Sequence, residues 1–153
     1  MRILKYAIFI SICIPFTAFG QNTDACLEKA MTQSEMNRCE GVNFERADAE
    51  LNRVYKLLQK VYKDNKYFLS KLKISQRTWV KLRNSDLEMS FPKQNKQTEY
   101  GSVYPMCYSS ISTTLTLQRV EYLKKWLEGI EEGDVCSGSI KRPDEIHHAI
   151  NKI

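Results

Sequence analysis

Apolar positions fall into distinct regimes along the chain. Residues Ala7 to Phe16 form a short apolar run behind the basic Arg2 and Lys5. From Gln33 onward the apolar positions instead recur every three or four residues. Met36, Cys39, Phe44, Ala47, Leu51, Val54, Tyr55, Leu58, Val61 and Tyr62 mark one stripe over about eight turns of an amphipathic helix. Thr32 and Glu35 stand at the spacing of a capping box, in which each residue's side chain satisfies the other's backbone N–H, so this helix is predicted to begin at Gln33. Gly41 is its weakest position, and the rise in polarity at Asp64-Asn65 predicts a turn.

A second periodic run carries Phe68, Leu69, Leu72, Gln76, Trp79, Leu82, Arg83, Asp86 and Met89 and should stop before Pro92. The segment Lys93 to Pro105 has no period and is predicted as a loop. A third helix is expected from about Met106 to Gly129, with Gly129 and Gly133 bracketing its end. Three long helices with modest connections predict an all-α, disulfide-stapled, up-down-up bundle, preceded by a short helix or turn over residues 21–31. The polar segment 137–153 is expected to be a loosely ordered tail or a short terminal helix.

The apolar run at the start is too short to span a bilayer, which takes about 20 residues. With its basic flank and the small residues Ala18 and Gly20 it reads as a secretory signal over residues 1–20, cleaved near Gly20. Cys13 is followed by Ile14 rather than a small residue, so it belongs to the discarded segment and is not a lipid attachment site. The exported chain keeps 133 of 153 residues, organised as a helical domain over 21–136 and the tail over 137–153. Losing Arg2 and Lys5 lowers the formal net charge from +5 to +3. With no dense Lys/Arg block interleaved with aromatics, nucleic acid is excluded as a partner. The destination is the periplasm or the exterior.

Four cysteines survive processing, Cys26, Cys39, Cys107 and Cys136. An even number in a small exported chain predicts two disulfides. Zinc fails on spacing: there is no C-x-x-C pair, and His147 and His148 are adjacent in the tail, so no metal or other cofactor is expected. A straight helix from 107 to 129 separates its ends by roughly 33 Å. Seven following residues can return only about 23 to 25 Å. Cys107–Cys136 is therefore disfavoured. In an up-down-up bundle the first and third long helices run parallel, which puts Cys39 and Cys107 at one end. The expected bonds are Cys39–Cys107 and, by elimination, Cys26–Cys136.

Read together, several motifs stand in a recognisable order. They are T-Q-x-E-M-N-x-C from Thr32 to Cys39, A-D-x-E-L-N-x-x-Y from Ala47 to Tyr55, and Q-x-x-W-x-x-x-R on Gln76, Trp79 and Arg83. A Gly101-Ser102 step, Cys107, and T-x-x-R-x-x-x-L on Thr116, Arg119 and Leu123 follow. The series resembles the LprI-like family, small exported bacterial helical proteins named after a lysozyme-inhibiting lipoprotein, and spans residues 26–127. The family usually continues R-D-x-x-C after the arginine, where this chain has Leu87 in place of the cysteine. The resemblance therefore raises Cys136 as the substitute partner for a thiol that Leu87 cannot supply.

Gln76, Trp79 and Arg83 share one helix face, and the plain reading is a core anchor flanked by polar groups that satisfy neighbouring helices. Asp48 is the carboxylate expected to pair with Arg83 or Arg119. Among Glu45, Asp48, Glu50, Glu121 and Glu128 no two are singled out for glycoside chemistry, and no serine or cysteine has a histidine at motif spacing. An enzyme is not expected. Recognition is placed instead on the segment tethered at Cys107, with Lys93, Lys96, Tyr100, Ser102 and Tyr104 as candidate partner contacts. The resemblance implies an inhibitor of a lysozyme-like, peptidoglycan-cleaving enzyme. Two alternatives are an immunity protein against a competitor's toxin and a cell-envelope interaction module without inhibitory activity.

Overall fold

The computed structural model describes residues 21–152, and the signal expected over residues 1–20 lies outside them. Six α-helices follow one another: α1 Gln21–Lys29, α2 Gln33–Val61, α3 Lys66–Ser90, α4 Lys96–Tyr100, α5 Tyr104–Glu128 and α6 Pro143–Ile150. A 3-10 turn at Gly101–Val103 joins α4 to α5, and no strand occurs among the described residues.

Helix α2 starts where its capping signal puts it. The Glu35 N–H donates to Thr32 Oγ1 at 3.2 Å, and the Thr32 N–H donates to Glu35 Oε2 at 2.9 Å. The helix runs through Gly41 unbroken, because the buried stripe Cys39, Asn43, Ala47, Leu51, Val54, Leu58 and Val61 holds it against the core. Its most extensive partner is α5, whose buried face begins with the small side chains Ser112 and Thr116. Small residues on that face let the two axes come close. The pair is parallel: Gln33 meets Met106 at one end and Tyr62 meets Trp126 at the other.

Helix α3 is capped at its start by Asn65, whose side chain accepts from the Phe68 N–H at 3.0 Å, and at its end by Phe91, ahead of Pro92. It runs antiparallel to α5, pairing Phe68 with Trp126 and Phe91 with Tyr104. Only Leu72 and Leu87 of α3 are fully buried, and Phe68, Leu69 and Trp79 pack partly against the core. These large side chains keep α3 further from its neighbours than α2 is from α5.

Segment 93–105 is not the aperiodic loop expected from sequence. The Asn95 side chain accepts from the Thr98 N–H at 3.3 Å and starts α4, a helix of five residues, too short to show a period. The C-terminal segment also joins the core. Ile146 of α6 is fully buried, and the Tyr62 hydroxyl accepts from the Lys141 N–H while donating to the Trp126 carbonyl. Gly129 makes this return possible: at φ 86° a Cβ there would lie 2.8 Å from Pro143 N and 3.0 Å from the Lys141 carbonyl.

The disulfide pairing corrects both expected bonds. Cys26 is joined to Cys39, with Cα atoms 5.8 Å apart, while Cys107 and Cys136 are free thiols. Neither Cys39–Cys107 nor Cys26–Cys136 forms. The reason is a hairpin: α1 turns at Ala30–Thr32 and folds back along the start of α2, bringing Cys26 onto Cys39. Helix α5 then separates Cys107, in its first turn, from Cys136 beyond its end, a length of about 32 Å from Cys107 to the helix end at 1.5 Å per residue. The substitution of Cys136 for the partner missing at Leu87 is thus ruled out as well.

Candidate functional site

Two polar regions carry the residues singled out from sequence, and they differ in character. The first is a network between the long helices. Arg119, 8% exposed, donates from Nε to Gln76 Oε1 at 3.0 Å and from Nη2 to Ser75 Oγ at 2.9 Å. Arg83 donates from Nη1 to the buried Thr116 hydroxyl at 3.3 Å, and the same nitrogen lies 3.8 Å from Asp48 Oδ1. Trp79 stands between the two guanidinium groups, 5.0 Å from that of Arg83 and 5.8 Å from that of Arg119.

Burial pushes the Arg119 pKa below its ordinary value, yet a guanidinium stays charged in proteins. Its neutral hydrogen-bond partners and the faces of Trp79 and Tyr122 are what compensate its loss of water. Asp48 thus lies beside Arg83 and not Arg119. The arrangement links α3 to α2 and α5 in a fixed register, with Trp79 as the shared wall.

The second region is the segment between α3 and α5. Tyr100 and Tyr104 stack at 5.9 Å, Tyr104 contacts Tyr108 at 5.8 Å, and Phe91 packs edge-on against Tyr104 at 5.1 Å and Tyr100 at 5.4 Å. All four residues are half-buried. The Tyr100 hydroxyl accepts from the Lys93 N–H at 3.2 Å, leaving the exposed Lys93 ammonium to solvent. Lys96 pairs with Glu88, and this hydrogen bond raises the Lys96 pKa. Burial raises that of Tyr104. The Ser102 carbonyl accepts from the Asn37 amide at 2.9 Å, which ties the segment to α2.

The structure therefore gathers Lys93, Lys96, Tyr100 and Tyr104 on one end of the bundle, with exposed Ser102 on the turn beside them. Phe91 and Tyr108 complete the ring cluster and are not among the residues singled out from sequence. A signal exists: Tyr100, Tyr104 and Tyr108 recur at intervals of four, as on one face of a helix. A rigid, amphipathic aromatic surface with a cation at its rim is suited to protein recognition, since tyrosine offers contact area at low entropic cost.

No group of three or more His, Cys, Asp or Glu among the described residues is placed to hold a metal ion. No described helix is long and apolar enough to cross a membrane.

The family described as lysozyme inhibitor LprI matches residues 24–123, from within α1 to near the end of α5. The chain belongs to the LprI family. That match contains the capping box, the disulfide, the Trp79 network and the aromatic end, and it ends before α6. Among curated proteins, an uncharacterized protein of Rhizobium meliloti (strain 1021) is 29% identical over 142 residues, covering 86% of this chain and 99% of the relative. No solved structure matches the chain. Membership of the LprI family implies a lysozyme-inhibitor-like function and a protein partner.

Proposed function

We propose that this LprI family member is exported to the periplasm, after cleavage near Gly20, and blocks a lysozyme-like enzyme with the aromatic end of its bundle. One observation carries the choice of surface: four half-buried rings, Phe91, Tyr100, Tyr104 and Tyr108, are presented beside the free ammonium of Lys93 on a segment held to both α2 and α3. Glycoside hydrolases work with a pair of carboxyl groups flanking the scissile bond. A lysine at the rim of a flat aromatic surface offers a complementary charge to such a cleft. The exported chain is itself basic, so toward a basic lysozyme it has no long-range steering, and binding rests on local fit.

A bacterial lysis assay tests this directly. The exported chain is expected to slow lysis at micromolar concentration, with little dependence of the association rate on salt. Lys93→Glu and Tyr100→Ser should each weaken inhibition at least tenfold while circular dichroism stays unchanged. Undiminished lysis, or inhibition untouched by both substitutions, would overturn the assignment. The basic charge balance favours one other reading, an immunity protein against an acidic toxin. That reading expects a toxin-like reading frame beside the gene and no effect on lysozyme.

A further inference from the structure

The outer face of α3 has a charge pattern that the inhibitory reading does not use. Residues 65–85 contain six cations and no Asp or Glu. Arg83 turns inward, and the other five, Lys66, Lys71, Lys73, Arg77 and Lys81, are all exposed. None of these five takes part in an ion pair among the described residues. The outer faces of α2 and α5, by contrast, mix both signs, as in Glu50 with Arg53 and Glu121 with Lys124.

Large apolar side chains stand exposed on the same helix. Tyr67 is 75% exposed, Ile74 57%, Leu82 57% and Met89 74%. They follow at intervals of seven, eight and seven residues. At 100° per residue that spacing keeps all four within an arc of about 80°. The cations lie along one edge of this stripe, with Lys71 inside it. Helix α3 is thus amphipathic twice: its inner face packs on the core, and its outer face sets an apolar stripe about 33 Å long against a basic edge of about 22 Å.

We infer that the outer face of α3 is a peripheral docking surface for an anionic lipid bilayer. Charge complementarity selects this occupant. A second copy of the chain would bring Arg77 and Lys81 against their own counterparts, with only Asp86 and the already paired Glu88 as acids on the helix. The apolar stripe itself is the surface of a single helix, and the concavities beside α3 lie on its flanks, lined by Lys73 and Arg77 toward α2 and by Lys71 toward α5. An interface of lipid headgroups needs no groove: Tyr67, Ile74, Leu82 and Met89 can insert between them while the lysine stems reach up to the phosphates. Each cation near an anionic surface strengthens binding by about fivefold.

Co-sedimentation of the exported chain with lipid vesicles tests the inference. Binding is expected to vesicles of phosphatidylglycerol and phosphatidylcholine in equal parts at low salt, with release at high salt and none to phosphatidylcholine alone. The K71Q/R77Q/K81Q variant should bind about a hundredfold more weakly. Ile74→Ser with Leu82→Ser should weaken binding several-fold. K56Q/K60Q/K125Q removes the same charge from α2 and α5 and should have a far smaller effect. Every substituted residue is exposed, so circular dichroism suffices to check folding. The inference is overturned by absence of binding to the anionic vesicles, by equal binding to the neutral ones, or by equal losses in the two charge variants. It is also overturned if vesicle-free sedimentation shows a dimer that the Ile74→Ser and Leu82→Ser substitutions dissociate.

Discussion

Cys26 and Cys39 are covalently joined across the hairpin between α1 and α2, and Cys39 is 2% exposed. The bond fastens α1 to a face of α2 that otherwise meets α5. It closes a loop of 13 residues, for which chain entropy gives a stabilisation of about 3 kcal/mol. The double variant C26S/C39A avoids placing a hydroxyl at the buried site. Its urea midpoint is expected to fall by the equivalent of about 3 kcal/mol. C107S/C136S should leave the midpoint nearly unchanged, and thiol titration of the unfolded chain from Gln21 onward should find two reactive groups.

Acid should weaken the start of α2 before it affects the core. Hydrogen bonds from the Met31 N–H at 2.8 Å and the Thr32 N–H at 2.9 Å hold the Glu35 carboxyl below its ordinary value of 4.5. A carboxylate whose folded pKa is depressed contributes stability that is present above the unfolded pKa. That contribution disappears as pH falls through the folded value. Stability should therefore decline below pH 4.5, and Glu35→Gln should make the decline shallower. Glu28→Gln, at an exposed position on α1 outside the cap, should not. Denaturant melts across the acid range check both.

Two glycines should respond to alanine with opposite signs. Gly41 lies within α2, and a Cβ there meets nothing within 4 Å. Gly41→Ala is expected to stabilise by about 0.5–1 kcal/mol, through lower backbone entropy in the unfolded chain. Gly129, at φ 86° and ψ 177°, occupies a region that L side chains rarely adopt and has the Pro143 nitrogen against it. Gly129→Ala should cost about 1–3 kcal/mol. It should also loosen α6, detected as faster proteolysis between residues 130 and 142.

The contrast between what is legible in the sequence and what is not has physical causes. The bounds of α2 and α3 can be read because caps and prolines act locally: Thr32 with Glu35 starts one helix, and Pro92 follows the end of the other. The long stripe of α2 shows its period because packing repeats over many turns. Helix α4 has too few residues for a period, and α6 buries only Ile146. The disulfide is not legible from the parallel helices, because they point Cys39 toward Cys107 while residues 21–31 carry no signal of direction. Taken as a helix closing a hairpin, that segment sets Cys26 against Cys39. In segment 93–105, Lys93, Lys96, Tyr100 and Tyr104 are legible as a composition, but Phe91, which caps α3, and Tyr108, within α5, join them only through the antiparallel register of α3 and α5.

That register also bears on Leu87, which stands where the family pattern has a cysteine. Leu87 is 2% exposed and lies one turn before Phe91, whose ring is 5.1 Å from that of Tyr104 and 6.3 Å from that of Tyr108. On the other side, Arg83 reaches Thr116. Position 87 thus falls opposite the first turns of α5, where the half-buried Cys107 sits as a free thiol. Leu87→Cys is expected to form a second disulfide with Cys107, lowering the free thiols of the chain from Gln21 onward from two to one, with Cys136 remaining. The new bond would close a loop of about 20 residues, worth about 3 kcal/mol in the chain-entropy account. Loss of the Leu87 side chain from the core offsets part of this, by about 2 kcal/mol or more. The reduced variant should therefore be less stable than the parent and the oxidised variant at least restored toward it. Peptide mapping under non-reducing conditions decides the pairing: an introduced thiol at position 87 that stays free under oxidising conditions would show that α3 and α5 do not meet in this register.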